Sequence, residues 1–331
     1  IRKDAYIKDR FGRTFNYLRI AINERCNLRC IYCMPEEGIL FQEKDRLLDK
    51  NEICKIIKVM SELGVSKIRF TGGEPLLRKD LLDLIQYTYQ QTDISSIHLT
   101  TNGVLLPKYI NQLVKAGLNG INISIDTLNK EKFKKITRRE ELENVLEGLD
   151  LAICSGIKSI KVNMVVMKGF NNDEITDFVE LTKNNDITVR FIELMPFDSH
   201  QIWKTGKFYS ADHIVNDLRS HYRTLSPVKG SSTEYYIFKI KEYAGRVAVI
   251  PSYTRSLCSA CNRIRVTADG NLLNCLYSRS ETNMRDAIRN GMKSEGLKNL
   301  IVGSMQKKLK DGLIAQNQGN DSRESMTQIG G

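Results

Sequence analysis

Between residue 17 and about residue 200, six short apolar segments recur: YLRIAI, SKIRFT, SIHLTT, GINISID, SIKVNMVV and TVRFIEL. Each reads as a strand. Between them lie longer amphipathic stretches such as LLDKNEICKIIKVMSEL and KDLLDLIQYTYQQ, whose apolar residues return at helical spacing. Strand–helix alternation of this kind implies a parallel sheet with helices outside, and six units suit an open barrel.

The alternation inside the strands says more. Arg19 and Ala21 oppose Leu18, Ile20 and Ile22; Arg69 and Thr71 oppose Ile68 and Phe70; His98 and Thr100 oppose Ile97 and Leu99. Asn122, Ser124 and Asp126 oppose Ile121, Ile123 and Ile125, and Lys161 and Asn163 oppose Ile160, Val162 and Met164. Side chains two apart share a face. Helices must cover the apolar faces, so the polar faces point inward and the lumen is hollow and polar. An ordinary barrel is filled with bulky branched side chains instead, and a sheet wet on one side is rare when parallel. The sixth segment breaks the pattern: Arg190 and Met195 differ in parity and cannot both point inward on a regular strand.

After residue 208 the texture changes. SADHIVNDLRSHY reads as a helix, TEYYIFKI and GRVAVI as antiparallel strands, and the ADG of CSACNRIRVTADGNLLNC as a hairpin turn. We expect two domains, 1–221 and 222–331. The formal net charge of +11 suits a polyanionic small substrate as well as nucleic acid, and no basic–aromatic block or finger spacing supports the latter. No apolar run is long enough to span a membrane, and the charged opening IRKDAYIKDRFGR lacks a signal-peptide core. A cytoplasmic monomer or homodimer is expected. In that reducing setting, cysteines more often bind metal than pair.

Three of the eight cysteines, Cys26, Cys30 and Cys33, fall within ERCNLRCIYC in the loop after the first strand. Such loops carry active sites in barrels of this kind. A structural zinc site takes four ligands, and the four histidines (His98, His200, His213, His221) lie elsewhere in sequence. Zinc completed from another segment stays open as an alternative. The other reading is an iron–sulfur cube with one iron left free. A second triplet, Cys258, Cys261 and Cys275, again has no histidine in its segment. Alone it would favour a zinc ribbon lacking a ligand; beside the first it reads as another open cluster. Arg263 and Arg265 follow, two apart on one strand face and suited to a phosphate or carboxylate. Cys54 and Cys154 read as buried core thiols.

These motifs carry a resemblance. C-x-x-x-C-x-x-C with Tyr32 before the last cysteine, and TGGEP after the second strand, resemble the radical S-adenosylmethionine enzymes. CSACNRIRVTADGNLLNC, GGEPLLR, INISIDT, RFIELMP and the terminal IGG narrow it to the GTP 3′,8-cyclase (MoaA) family of molybdenum cofactor biosynthesis. The stretch INE before the first cysteine departs from the Thr-Asp common in that family. The implied fold is α/β: a partial (β/α)6 TIM-like barrel with a C-terminal α+β domain that closes the open side. The implied activity cleaves S-adenosylmethionine to a 5′-deoxyadenosyl radical that takes the 3′ hydrogen of GTP, after which C3′ attacks C8.

By the same resemblance, Cys26, Cys30 and Cys33 hold one 4Fe–4S cluster, and Cys258, Cys261 and Cys275 a second that faces the guanine. Tyr32, Gly73, Ser124 and Met195 contact S-adenosylmethionine. Arg19, Arg69, Thr100, Lys161, Arg263, Ile264 and Arg265 contact GTP. Arg263, Arg265 and a tail ending in Gly330 and Gly331 assist catalysis. A flavodoxin- or ferredoxin-like protein supplies electrons. No Walker-type loop occurs, so Lys and Arg side chains must neutralise the triphosphate. The rivals are a radical enzyme that modifies peptides, whose kind usually has more downstream cysteines, and a zinc-stabilised RNA-binding module.

Overall fold

The structure, a computed structural model, describes residues 6–195, 206–229, 236–254, 258–277, 281–317 and 325–328. Strands β1 (Ile7–Lys8) and β2 (Thr14–Phe15) form a small hairpin. The six expected strands follow as β3 (Tyr17–Ala21), β4 (Lys67–Thr71), β5 (Ser96–Thr101), β6 (Gly120–Ser124), β7 (Ser159–Val166) and β8 (Thr188–Glu193), each parallel to the next. The outer layer contains α1 (Lys50–Glu62), α2 (Leu81–Gln91), α3 (Leu106–Lys115), α4 (Lys130–Thr137), α5 (Leu142–Cys154), α6 (Ile175–Glu180) and α7 (Ala211–His221). Their starts are chemically marked. Asp49 and Glu52 make a reciprocal capping box on α1, Asn129 caps α4, and Ser210 caps α7.

The apolar faces bury Leu18, Ile20, Ile68, Phe70, Ile97, Leu99, Ile121, Ile123 and Val162 in one core with Ile53, Ile56, Leu84, Leu113 and Leu149 of the helices. β7 alternates strictly between half-buried and buried, with Lys161 and Asn163 on the half-buried, inward side. The polar faces therefore point inward, as the strand parity implied. The difficulty over Arg190 and Met195 dissolves, because β8 stops at Glu193 and strand parity does not extend to Met195. Glu193 makes that stop: its buried carboxylate accepts from the backbone N–H of Ala211, Tyr253 and Thr254 and from the Thr254 hydroxyl.

The C-terminal strands lengthen both edges of this sheet. β9 (Ser226–Pro227), β10 (Tyr236–Lys239) and β11 (Arg246–Ile250) join beyond β8, with β10–β11 antiparallel as expected and β11 parallel to β8. On the other edge β12 (Arg263–Val266) runs parallel to β3, and β13 (Asn271–Leu273) and β14 (Glu281–Asn283) follow antiparallel, the first through the expected turn with Gly270 at φ 85°. The barrel stays open: among the described residues its outermost strands, β14 and β9, do not pair. Side chains bridge the opening at the mouth, where Leu273 of β13 packs with Met195, Leu276 and Met326. Helices α8 (Met284–Arg289), α9 (Ser294–Gln306) and α10 (Gly312–Asn317) complete the chain. Cys54 is half-buried, but Cys154, expected in the core, is exposed. It is the last residue of α5, whose inward face is carried by Val145, Leu149 and Ala152.

Candidate active site

The loop after β3 carries the first three cysteines and lies directly against the Gly72-Gly73-Glu74 turn after β4. Gly73 and Glu74 donate backbone N–H bonds to Asn23 O and Arg25 O at 2.7 and 2.8 Å. The Asn23 amide ties Arg25 O and Glu74 O together at 3.1 Å each. A side chain fits at neither glycine: a Cβ on Gly72, whose φ is +139°, would overlap Asn23 O, and one on Gly73 would stand 2.6 Å from Glu24 O. Glu74 is fully buried and accepts from Leu76 N, Thr101 Oγ1 and Asn102 N; burial outweighs these bonds and pushes its carboxyl up to about 7. Asn102 in turn reaches Asn27 at 2.8 Å and the Cys26 sulfur at 3.7 Å.

Burial, then Asp126 and the two neighbouring thiols Cys33 and Cys26, push the Cys30 thiol well above its ordinary range. Burial and nearby Glu74 push Cys26 up to about 11. Crowded, desolvated thiols of this kind become thiolates only when a metal's charge holds them. Leu28 N and Asn102 Nδ2 point at the Cys26 sulfur, and Gly312 N donates to the Cys258 sulfur at 3.0 Å. Three soft donors per site with N–H groups on sulfur fit an iron–sulfur cluster. Among the described residues no three or more His, Cys, Asp or Glu side chains converge tightly enough to hold a single metal ion. The second triplet is mixed. Burial raises the Cys275 thiol, whereas at Cys261 the charges of Lys308, Arg263 and Arg265 outweigh burial and lower it.

Strand register sorts the lumen into layers. At the bottom Arg263, Tyr17, Lys67 and Ser96 stand abreast on β12, β3, β4 and β5. One layer up are Arg265, Arg19, Arg69, His98 and Gly120 on β12 to β6. Thr100, Asn122 and Lys161 form the next layer, and Ser124, Asn163 and Arg190 the one nearest the mouth. Arg69 is held from three sides: Nε donates to Tyr17 Oη at 2.5 Å, one amino group to Thr100 Oγ1 at 3.1 Å, and the other faces His98 Nδ1 at 3.5 Å. His98 Nδ1 therefore accepts, and its Nε2–H points to Ser96 Oγ at 2.8 Å. Burial and then Arg69 drive that imidazole down to about 2, so it stays neutral. Gly120 faces it because any Cβ there would overlap the ring.

The arginines repel one another. Burial, Arg265, Arg69 and Arg263 push Arg19 well below the guanidinium range, and burial with Arg263 brings Arg265 down to about 10. Burial would raise the Tyr17 phenol, but Arg69, Arg19 and Lys67 outweigh it and bring it down to about 7. Such a layer stores positive charge that a polyanion would relieve.

Comparison with known proteins settles the family. The Radical SAM superfamily profile matches residues 20–182 and the Molybdenum Cofactor Synthesis C profile residues 187–313. The GTP 3′,8-cyclase of Chlorobaculum tepidum is 43% identical over 329 residues, which is 99% of this chain and 98% of that one. The chain belongs to the GTP 3′,8-cyclase family. The GTP 3′,8-cyclase of Clostridium botulinum is 41% identical over 98% of this chain and 99% of its own. Human molybdenum cofactor biosynthesis protein 1 is 42% identical over 92% of this chain, which spans only 48% of the human protein. Streptococcus suis SuiB bound to S-adenosylmethionine superposes with a TM-score of 0.57 at 15% identity, over 86% of this chain and 68% of that one, a likeness of fold.

In this GTP 3′,8-cyclase family member the lumen gathers Arg19, Arg69, Thr100, Lys161, Arg263 and Arg265, while Ile264 between the two arginines is fully buried on the apolar face of β12. Gly73 and Tyr32 lie at the mouth, and Ser124 ends β6 beneath it. The Tyr32 hydroxyl donates to Asp126 Oδ2 at 2.6 Å. Gly330 and Gly331 lie outside the described residues. The segment before them is docked on the first triplet: buried Ser325 donates to Cys33 O at 2.8 Å, and Met326 packs with Met195 in the small cluster around Leu273. Sequence reading assigned no role to Tyr17, Lys67, Asn163, Arg190 and Lys308. The parity that found Arg19 extends to Tyr17, two residues earlier on the same strand.

Proposed function

We propose that this chain converts GTP to (8S)-3′,8-cyclo-7,8-dihydroguanosine 5′-triphosphate with S-adenosylmethionine, the first step of molybdenum cofactor biosynthesis. Cys26, Cys30 and Cys33 hold one 4Fe–4S cluster, and Cys258, Cys261 and Cys275 the other. When bound, these clusters supply one-electron reducing power and open iron positions. The remaining work falls to side chains. Arg19, Arg69, Arg263 and Arg265, with Lys161, take the triphosphate in place of the missing phosphate loop. Tyr17, Thr100 and His98 keep the Arg69 fork in one orientation, so little rotamer freedom is lost on binding.

At the mouth, Gly73, Tyr32, Ser124 and Met195 bracket S-adenosylmethionine, and the packed Leu273–Met195–Met326 contacts keep water from the reacting carbons. The tail ending in Gly330 and Gly331, which follows the docked Ser325 in sequence, assists catalysis. Electrons come from a flavodoxin- or ferredoxin-like donor in the cytoplasm. No described helix is long and apolar enough to cross a membrane.

One observation carries the reading: three arginines, Arg265, Arg19 and Arg69, stand abreast on adjacent strands inside a lumen flanked by two cysteine triplets. The test is the Arg263→Ala, Arg265→Ala double variant with its iron content measured. Loss of cyclisation at unchanged iron supports the assignment; full cyclisation refutes the substrate site.

A further inference from the structure

Asn122 is 4% exposed, in the centre of β6, and faces the lumen between Thr100 of β5 and Lys161 of β7. Its side-chain Oδ1 is enclosed and, among the described residues, meets no hydrogen-bond donor. A buried amide oxygen left this way weakens the ligand-free fold, since it gave up water and received nothing in return. Buried polar groups without partners are uncommon, and this one is not needed for packing: an apolar side chain of similar size would fill the space. Its other neighbours on the strand are chemically explained, Gly120 by the His98 ring and Ser124 by the mouth.

Height along the strand says what the missing partner is, resting on the nucleotide reading given above. Asn122 stands one layer above the Arg265–Arg19–Arg69 row and one layer below Ser124, each step about 6–7 Å. The triphosphate belongs to the arginine row, and S-adenosylmethionine to the mouth. The ribose, whose C3′ must face the mouth, lies between them. A sugar hydroxyl donates and accepts, so it satisfies an amide whichever way its oxygen and nitrogen are turned.

We infer that Asn122 binds a ribose hydroxyl of the nucleotide and sets the preference for a nucleotide that carries that hydroxyl. It binds substrate and takes no proton in the reaction. The contact is a neutral hydrogen bond whose other end would be stranded if the hydroxyl were missing, so discrimination of roughly two- to tenfold is expected.

The experiment is equilibrium binding of GTP, 2′-deoxyGTP, 3′-deoxyGTP and inosine triphosphate to the anaerobically reconstituted protein, for the wild type, Asn122→Leu and, as a smaller replacement, Asn122→Ala. The wild type should bind GTP more tightly than at least one of the deoxy analogues. Both variants should bind GTP roughly two- to tenfold more weakly and lose that preference, while their preference for GTP over inosine triphosphate stays as in the wild type. Variants that keep the wild-type ranking of GTP over both deoxy analogues overturn the inference. So do variants whose change appears against inosine triphosphate, since the contact would then be to the base. A wild type that binds no guanosine nucleotide overturns the proposed function itself, and this inference with it.

Discussion

Replacing Gly73 by alanine should dismantle the first cluster while sparing the second. The new Cβ would stand 2.6 Å from Glu24 O and overlap Arg25 O, both backbone atoms that no rotamer change can move. Ordinary contact begins at about 3.4 Å, so the loop must retreat by about 1 Å. That breaks the Gly73 N–Asn23 O and Glu74 N–Arg25 O bonds, together worth roughly 1–3 kcal/mol. The retreating segment ends at Arg25, one residue before Cys26, so the thiol geometry goes with it. Iron per chain should fall from about eight to about four, with a loss of thermal stability of the size just given. Gly303→Ala is the control: among the described residues nothing outside its own helix turn lies within 4 Å of its Cβ and it sits inside α9, so stability should rise by about 0.5–1 kcal/mol with iron unchanged. A Gly73→Ala protein with full iron and wild-type S-adenosylmethionine binding would refute the close-approach argument.

Three further outcomes are expected. Tyr17, lowered to about 7, should appear as one of 13 tyrosines ionising far below the rest in an ultraviolet pH titration of ligand-free protein, and vanish in Tyr17→Phe. Because the folded value is the lower one, wild-type stability should rise across pH 7 to 10 relative to Tyr17→Phe, and that increment should be lost as pH falls back through about 7. Added GTP should move this transition upward by neutralising the arginines; no shift would place the triphosphate elsewhere. Gly120→Ala should push His98 off Arg69 and weaken GTP binding at least tenfold, as read by calorimetry, with both clusters intact. Arg69→Lys should behave similarly, because an ammonium cannot reach Tyr17, Thr100 and His98 together; equal affinity would contradict the three-sided hold.

The lumen was legible because strand parity is local. Once Leu18 and Ile20 are committed to the helices, Arg19 has no other direction to point. The cysteine loop and its Gly-Gly partner were legible as spacing, although why both glycines are required emerges only where Asn23, Glu24 and Arg25 pass against them. Long-range pairing was not legible. Nothing in GRVAVI indicates that β11 would extend β8 in parallel, or in NRIRV that β12 would lie beside β3 and bring Arg265 level with Arg19. Cys154 misled because its helix is amphipathic to the last turn, and only the end of α5 exposes it. Met195 misled because parity was applied past the end of the strand. The docking of Ser325 on Cys33 joins positions at opposite ends of the chain, and no local pattern encodes it.

The central claim is that the lumen holds GTP with its C3′ facing S-adenosylmethionine at the cysteine-lined mouth. It is tested most directly by incubating the reconstituted protein anaerobically with S-adenosylmethionine, a reductant and GTP deuterated at C3′, then weighing the 5′-deoxyadenosine formed. The expected product is 5′-deoxyadenosine carrying one deuterium, with ATP in place of GTP yielding none. Unlabelled 5′-deoxyadenosine, or equal yield with every nucleotide, would contradict it.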